Sequence, residues 1–307
     1  MVVRTAGELG TLSYVNEAAY GTIPVGALTW GCDIEELVPS TDMKANLMRV
    51  SSSRSAFEAT RGAAEYGFRV KGYSRAAVGA YNWRNLWAYY GLGSLTGLAD
   101  HLESFTAQAY LDTGATNYYK FYSGCKVNKL TISAEAAGEP WAFDAEIFAR
   151  WHYQNTSKNV AGLQTVTVGA SPDAQTGATL CWNGISYYNI GGGLVAWYPR
   201  NIKLTVDNKL QRQNGNVLGD DANYYSVPIG MAEGPRDIIL EANLWYEDET
   251  WTAAKLAGTE VSAVAIPIGD QTISLQDGVL LGNDFPTLKH DLMDENVKIA
   301  FETLSIA

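Results

Sequence analysis

Clustered carboxylates are the first candidates for chemistry in this chain: Glu35-Glu36, Asp220-Asp221, Glu247-Asp248-Glu249, and Asp291 with Asp294-Glu295. Acids grouped in this way can act as a general acid and base, or hold calcium. None has the Asp-x-Asp-x-Asp-Gly spacing of an EF-hand loop, so they read as solvated loop acids. His101, His152 and His290 each lack a second histidine three or four residues away, and a metal site would need ligands gathered from distant segments. Cys32, Cys125 and Cys181 lie too far apart for a zinc knuckle or a disulfide framework and fit a reducing compartment. Nucleophile-elbow, HExxH, P-loop and dinucleotide-binding patterns do not occur; the nearest, Gly91-Leu-Gly93-Ser-Leu-Thr-Gly97, follows a helical pattern rather than a strand. The sequence therefore predicts no catalytic residue, no cofactor, no metal site and no enzyme.

The elements that would position such groups read mainly as strands. In Gly124–Arg150, Leu130, Ile132 and Ala134 alternate with polar residues, and Trp141, Phe143, Ala145, Ile147 and Ala149 do so in the opposite phase. Gly138-Glu139-Pro140 supplies the turn between them, so the stretch predicts a hairpin with one dry and one wet face. Two strands alone leave open edges and bury too little, and the rest of the chain must complete the sheet. Residues 65–73 alternate in the same way. Asn82 precedes Trp83, Leu86, Trp87 and Tyr90 at helical spacing, with Gly91 and Gly93 as the stop. Residues 40–64 and the stretch 214–225 read as polar loops. A short helix is expected at Trp251–Leu256, a short strand at 163–168, and further strands near 202–210, 238–244, 261–268, 271–281 and 296–306.

With 307 residues the chain exceeds the usual size of one domain. Its organisation reads as an N-terminal arm (1–24), a first β domain (25–152), an inter-domain segment (153–193) that could hold a small hairpin, and a second β domain (194–307). Both halves carry a strand, a polar stretch, a Glu-x-x-Arg element and another strand. Glu58 and Arg61 precede FRVKGY, and Glu233 and Arg236 precede IILEANLWY, which makes these four residues candidate structural pairs in a duplicated unit. The formal net charge of −11 disfavours nonspecific wrapping of nucleic acid. MVVRTAGELG has no apolar signal core, and no apolar run is long enough to span a bilayer, so membrane insertion is not expected. The Asn155-Thr-Ser157 sequon matters only in a secretory compartment.

The run HLESFTAQAYLDTGATNYYKFYSGCKVNKLTISAEAAGEPWAFDAEIFAR (101–150), the stretch SYVNEAAYGTIP (13–24) and the segment from NIKLTVDNKLQRQNG to PIGMAEGPRDIILEANLWYED (201–248) resemble the tail tube proteins, or major tail proteins, of long-tailed bacterial and archaeal viruses. The resemblance implies a mainly β fold, a sandwich or small barrel with a flanking helix, here as two tandem tail-tube-like domains. It implies self-assembly into rings that stack into a tube, contact with tape measure, tail terminator and tail tip proteins, and transient passage of DNA through the lumen. The location implied is the virion tail, assembled in the host cytoplasm. Two domains per chain would give a trimeric ring with pseudo-sixfold symmetry; one would give a hexamer. Asp144, Glu146 and Glu241 are candidate lumen-facing acids. A different reading of the aromatic content is a glycan-binding or related β-sandwich adhesion module of a virion or cell surface, using Trp and Tyr side chains of 182–198.

Overall fold

A computed structural model of the chain describes residues 11–24, 28–49, 57–73, 83–112, 117–155, 179–218, 224–245, 250–283, 287–289 and 292–307. The first half runs β1 (Thr11–Asn16), β2 (Thr29–Arg49), β3 (Phe57–Tyr73), a π-turn (Arg84–Ala88) leading into α1 (Tyr89–Leu92), β4 (Gly93–Ser94), β5 (Gly97–Leu98), β6 (Phe105–Asp112), β7 (Asn117–Ala134), β8 (Ala142–Ala149) and β9 (Trp151–Asn155). The second runs β10 (Ser186–Asn189), β11 (Val195–Trp197), β12 (Asn201–Asp207), β13 (Gln211–Leu218), β14 (Tyr224–Ala232), β15 (Asp237–Trp245), α2 (Thr250–Ala257), β16 (Val261–Ile268), β17 (Gln271–Asn283), β18 (Thr287–Lys289) and β19 (Leu292–Ile306). The fold is mainly β, with small helices laid against the sheet.

The hairpin expected from Leu130 to Ala149 is the β7–β8 pair, in register from Lys126↔Phe148 to Ser133↔Ala142. Its dry face holds because every second residue of β8, from Phe143 to Ala149, is buried. Gly138 makes the turn at φ +89°, a left-handed conformation that a side chain would strain. The helical spacing also holds: Trp83, Leu86, Trp87 and Tyr90 are all buried, and Trp87 stacks on Phe143 with the ring planes 7° apart. Gly93, at φ +90°, ends the helix.

Two stretches depart from the expectation. Of the polar residues 40–64, 40–49 and 57–64 are strand rather than loop: β2 and β3 pair from Asp33↔Tyr73 to Arg49↔Phe57. Likewise, much of 214–225 lies in the β13–β14 hairpin, paired from Gln211↔Ala232 to Leu218↔Tyr224. Alternation betrays a strand only where one face is buried, whereas cross-strand backbone hydrogen bonds form whatever the side chains are. The arm differs too. Thr11–Asn16 is a strand hydrogen-bonded to β2 on one side and β6 on the other, burying Leu12 and Tyr14. The segment 153–193 includes part of β9 and all of β10, which makes a small hairpin with β11. Residues 1–10, the expected strand 163–168, Thr156 and Ser157 of the sequon, Asp220-Asp221, Glu247-Asp248-Glu249, His290 and Asp291 lie outside the described residues.

In the first half β1, β2, β3, β8, β7 and β6 pair in a closed circuit, a small barrel. β7 then continues past β6 and pairs with β12, so the sheet runs from one half into the other. Buried side chains of both halves, from Trp87 and Phe143 to Leu204 and Leu240, form one continuous core.

The antiparallel pairings of the first half recur in the second. β1–β6, β6–β7, β7–β8 and β8–β3 are matched in order by β10–β16, β16–β17, β17–β19 and β19–β15. A bulge occupies the same place in both. Val127↔Ile147 is followed by Lys129↔Glu146, skipping Asn128; Leu280↔Ile299 is followed by Gly282↔Lys298, skipping Leu281. Beside the bulge, Phe68 lies opposite Ile147 as Leu240 lies opposite Ile299. A bulge fixes ladder register, so its recurrence is a more specific match than shared strand order.

Candidate assembly and lumen surfaces

The wet face of β3, β8, β7, β12, β15 and β19 is one continuous polar surface, and it carries all three candidate acids. Their cross-strand neighbours follow from the ladders: Asp144 lies opposite Lys71 and Thr131, Glu146 opposite Arg69 and Lys129, and Glu241 opposite Lys203 and Lys298. Each acid is partnered. Arg69 Nε donates to Asp144 Oδ1 at 2.8 Å, and a second guanidinium nitrogen reaches Oδ2. Asn128 Nδ2 donates to Glu146 Oε2 at 2.9 Å. Lys203 Nζ and Lys298 Nζ reach the two oxygens of Glu241 at 2.7 and 2.9 Å.

The sequence singled out these acids, but the cations facing them had no signal of their own, because their partners sit on other strands. Asp144 and Glu241 are paired with cations and Glu146 with an amide, so the face is not a bare acidic wall. The hydrogen bond from Lys203, then that from Lys298, holds the Glu241 carboxyl below its ordinary range. A carboxyl lowered in the folded state contributes stability above its unfolded pKa of about 4.3 and loses it as pH falls through the lower folded value. The pairs are partly solvated, so the term is small. Glu241→Gln is expected to lower stability by under about 1 kcal/mol at neutral pH. Parallel urea titrations of the two proteins should show the difference shrinking once pH falls below about 4.3 and vanishing below the lowered folded value.

At one end of this face the β13–β14 hairpin folds over the first half. Arg212 stacks 3.7 Å above the Phe148 ring and donates to the Tyr66 carbonyl at 3.1 Å. Leu210 and Met231 cluster with Leu102, Tyr20 and Phe148 beneath it. The overhang leaves a cleft of about 420 Å³ lined by Arg69, Lys129, Asp144, Glu146, Lys203 and Arg212 among others.

Of the four residues proposed as structural pairs, Glu233 and Arg236 lie between β14 and β15, their charged atoms 4.0 Å apart. Glu233 accepts more closely from Lys126 Nζ at 2.8 Å and from the Leu102 amide at 3.1 Å, while Arg236 donates to the Leu92 carbonyl at 3.2 Å. Both therefore tie the second half to the first. Glu58 and Arg61 lie in the backbone of β3, opposite Met48 and Ala45; their side-chain contacts are outside the described residues. The ladders set Tyr66 of β3 level with Ile238 of β15, which places the two Glu-x-x-Arg elements three residues out of step.

The aromatic residues of 182–198 do not form an exposed platform. Trp182 is buried against Trp141, and Trp197 packs with Tyr188 and Trp251; only Tyr187 and Tyr198 are exposed. Both indoles face inward, where most of their surface is removed from water. Among the described residues, no group of three His, Cys, Asp or Glu side chains could hold a metal ion, and no helix is long and apolar enough to cross a membrane.

Among the described residues the chain is an antiparallel sheet with a charged wet face and a continuous apolar core, and no metal cluster accompanies it. Residues 7–302 match the family model of the phage tail tube protein, and the chain belongs to that family. It is a structural protein of the virion tail that assembles into the tail tube with other tail proteins. No curated protein matches the chain.

Proposed function

We propose that three copies of this chain close into a ring with pseudo-sixfold symmetry, that rings stack into the tail tube, and that DNA passes through the lumen on its way to the host. In this reading the chain holds two tandem tail-tube-like domains. The observation that carries it is the recurrence of the ladder with its bulge at Asn128 and at Leu281. The polar face of β3, β8, β7, β12, β15 and β19 lines the lumen. Its cations Arg69, Lys203 and Lys298 are paired with carboxylates, which suits DNA sliding, because unpaired cations would gain affinity for phosphate by releasing counterions. The tube grows in the host cytoplasm beside tape measure, terminator and tip proteins.

Electron microscopy over a concentration series, with mass from light scattering, tests this. Threefold rings or tubes are the expected result. Rings of six chains would keep the tube and overturn the tandem arrangement. A monodisperse monomer at every concentration, even with tail extract added as nucleus, would overturn ring formation. Reversing the charges of Asp144, Glu146 and Glu241 should slow DNA delivery by assembled particles; unchanged delivery would count against the lumen assignment.

A further inference from the structure

The bulge at Asn128 changes which charges meet on the wet face. Lys129 lies opposite Glu146 on one side and Asp207 on the other, and in a regular ladder either carboxylate could hold it. The extra residue intervenes: the Asn128 amide takes Glu146 at 2.9 Å, while Asp207 accepts from the Lys209 amide at 3.0 Å. The cations nearby are also taken, Arg69 by Asp144, Lys71 by Glu35, and Lys203 and Lys298 by Glu241. Lys129, exposed at the mouth of the cleft under the β13–β14 hairpin, has no such partner among the described residues.

Arg212 lines the same cleft with donors to spare. Nη1 reaches Glu65 at 3.3 Å and Nη2 the Tyr66 carbonyl at 3.1 Å, but Nε, shut off from solvent, has no acceptor among the described residues. Burial lowers the pKa of the guanidinium despite the opposing pull of Glu65 and Glu146, so a further anion beside it is stabilising. Gly67 leaves room there, since a Cβ at that position would come within 3.5 Å of Arg212 Nη2. The cleft thus sets Arg69, Lys129, Lys203 and Arg212 against Asp144 and Glu146, in a chain whose acidic residues outnumber its basic ones by 33 to 22. Its volume of about 420 Å³ is that of a small-ligand site.

We propose that this cleft is an oxyanion site, holding one phosphate group per chain between the Lys129 ammonium and the Arg212 guanidinium. Lysine supplies a point charge and arginine a planar set of donors that fits phosphate oxygens. A phosphomonoester or inorganic phosphate carries nearly two charges at neutral pH and a DNA diester one, so a cleft beneath a hairpin favours the smaller, more highly charged group. The site occurs once, because the matching bulge of the second half has Gly282 where the first has Lys129. On the lumen reading above, the held anion neutralises the lysine that the wet face leaves over and keeps it from gripping DNA; the site itself stands without that reading.

Isothermal titration of the full chain with sodium phosphate, in a low-salt buffer just above neutrality, tests this. One site per chain with a dissociation constant of about 1 mM is expected. Lys129→Ala, at an exposed position, should keep the parent's melting midpoint and weaken binding about tenfold. Glu146→Gln removes the negative charge beside the site and should tighten binding about threefold, which a purely structural role for these residues would not do. No saturable heat, or binding that both variants leave unchanged, would overturn the site and leave ring assembly untouched. Fluorescence anisotropy with a labelled DNA duplex at the same ionic strength separates the two phosphate sources. The parent should show no saturable duplex binding; duplex binding that phosphate displaces and Lys129→Ala removes would assign these cations to the DNA backbone and overturn the free-anion site.

Discussion

Glu17→Ala is expected to cost the first half about 4 kcal/mol, the largest loss from any single polar side chain described here. Glu17 lies just beyond β1 and is 4% exposed. Its carboxylate accepts from the Gly21 amide at 2.8 Å, Ser104 Oγ at 2.9 Å, Thr106 Oγ1 at 2.7 Å and the Gly124 amide at 2.8 Å. Hydrogen bonds to a charged acceptor contribute about 1.5–3 kcal/mol each, and truncation strands buried donors that water cannot easily reach. The contributions are not additive, because the loop at Gly21 can relax towards solvent. Glu17→Gln keeps one oxygen but turns an amide group towards donors, and about half of the loss should remain.

Urea or thermal melts measure this, with a midpoint about 10 °C lower for the alanine variant. A change under 1 kcal/mol would mean that the carboxylate does not anchor this corner. Because β1 closes the barrel between β2 and β6, the alanine variant should also assemble poorly.

The fold was legible where local pattern and burial coincide. Trp141 to Ala149 alternate because β8 has one face in the core, and the Trp83–Tyr90 spacing survives because that turn of helix packs on Phe143. Legibility fails where a strand carries no sustained apolar alternation. Parts of the β2–β3 and β13–β14 ladders read as loops because 40–64 is rich in Ser, Ala and Arg and 214–225 in Asn, Gly and Asp, although the backbone groups of 40–49, 57–64, 214–218 and 224–225 pair across the ladders. It fails again where a role depends on distant partners. Glu17 meets Thr106 and Gly124 across 89 and 107 residues, and nothing in NEAAYG marks it.

The candidate acids on the wet strands were visible as polar-face residues, but the cations facing Asp144 and Glu241 and the amide facing Glu146 were not, since cross-strand pairing depends on a register the sequence does not state. The Glu-x-x-Arg repeat pointed towards two similar halves by a match that the ladders place out of step. The informative repeat is the bulge, a backbone feature with no residue signature, being Asn128 in one half and Leu281 in the other.

Asn208→Asp should be the second most damaging change, about 4 kcal/mol at neutral pH against about 2 kcal/mol for Asn208→Ala. Asn208 sits where β12 turns towards β13, buried at the joint between the halves. Its side-chain amide donates to the carbonyls of Gly91 and Val127, both at 2.9 Å, tying the end of α1 to the β7 bulge. Its backbone amide donates to the Asn128 carbonyl at 2.8 Å, and the Leu210 amide to Asn128 Oδ1 at 2.9 Å. Alanine leaves two buried carbonyls without these donors. Aspartate does worse, since it sets a buried anion against both oxygens.

The introduced carboxyl can restore one donor only when protonated, so its folded pKa must lie above the unfolded value of about 3.9. The stability it recovers is fully present below that unfolded value and is lost as pH rises through the folded one. Calorimetry of the two variants across pH should therefore show the gap between aspartate and alanine closing on acidification, and above neutrality the aspartate chain should unfold in two transitions as the halves uncouple. A gap independent of pH would mean that this amide does not face the two carbonyls in solution. The same bulge in the second half has Leu281 in place of Asn128, with its side chain exposed, so the two halves share the backbone kink while only the first ties it with an asparagine among the described residues.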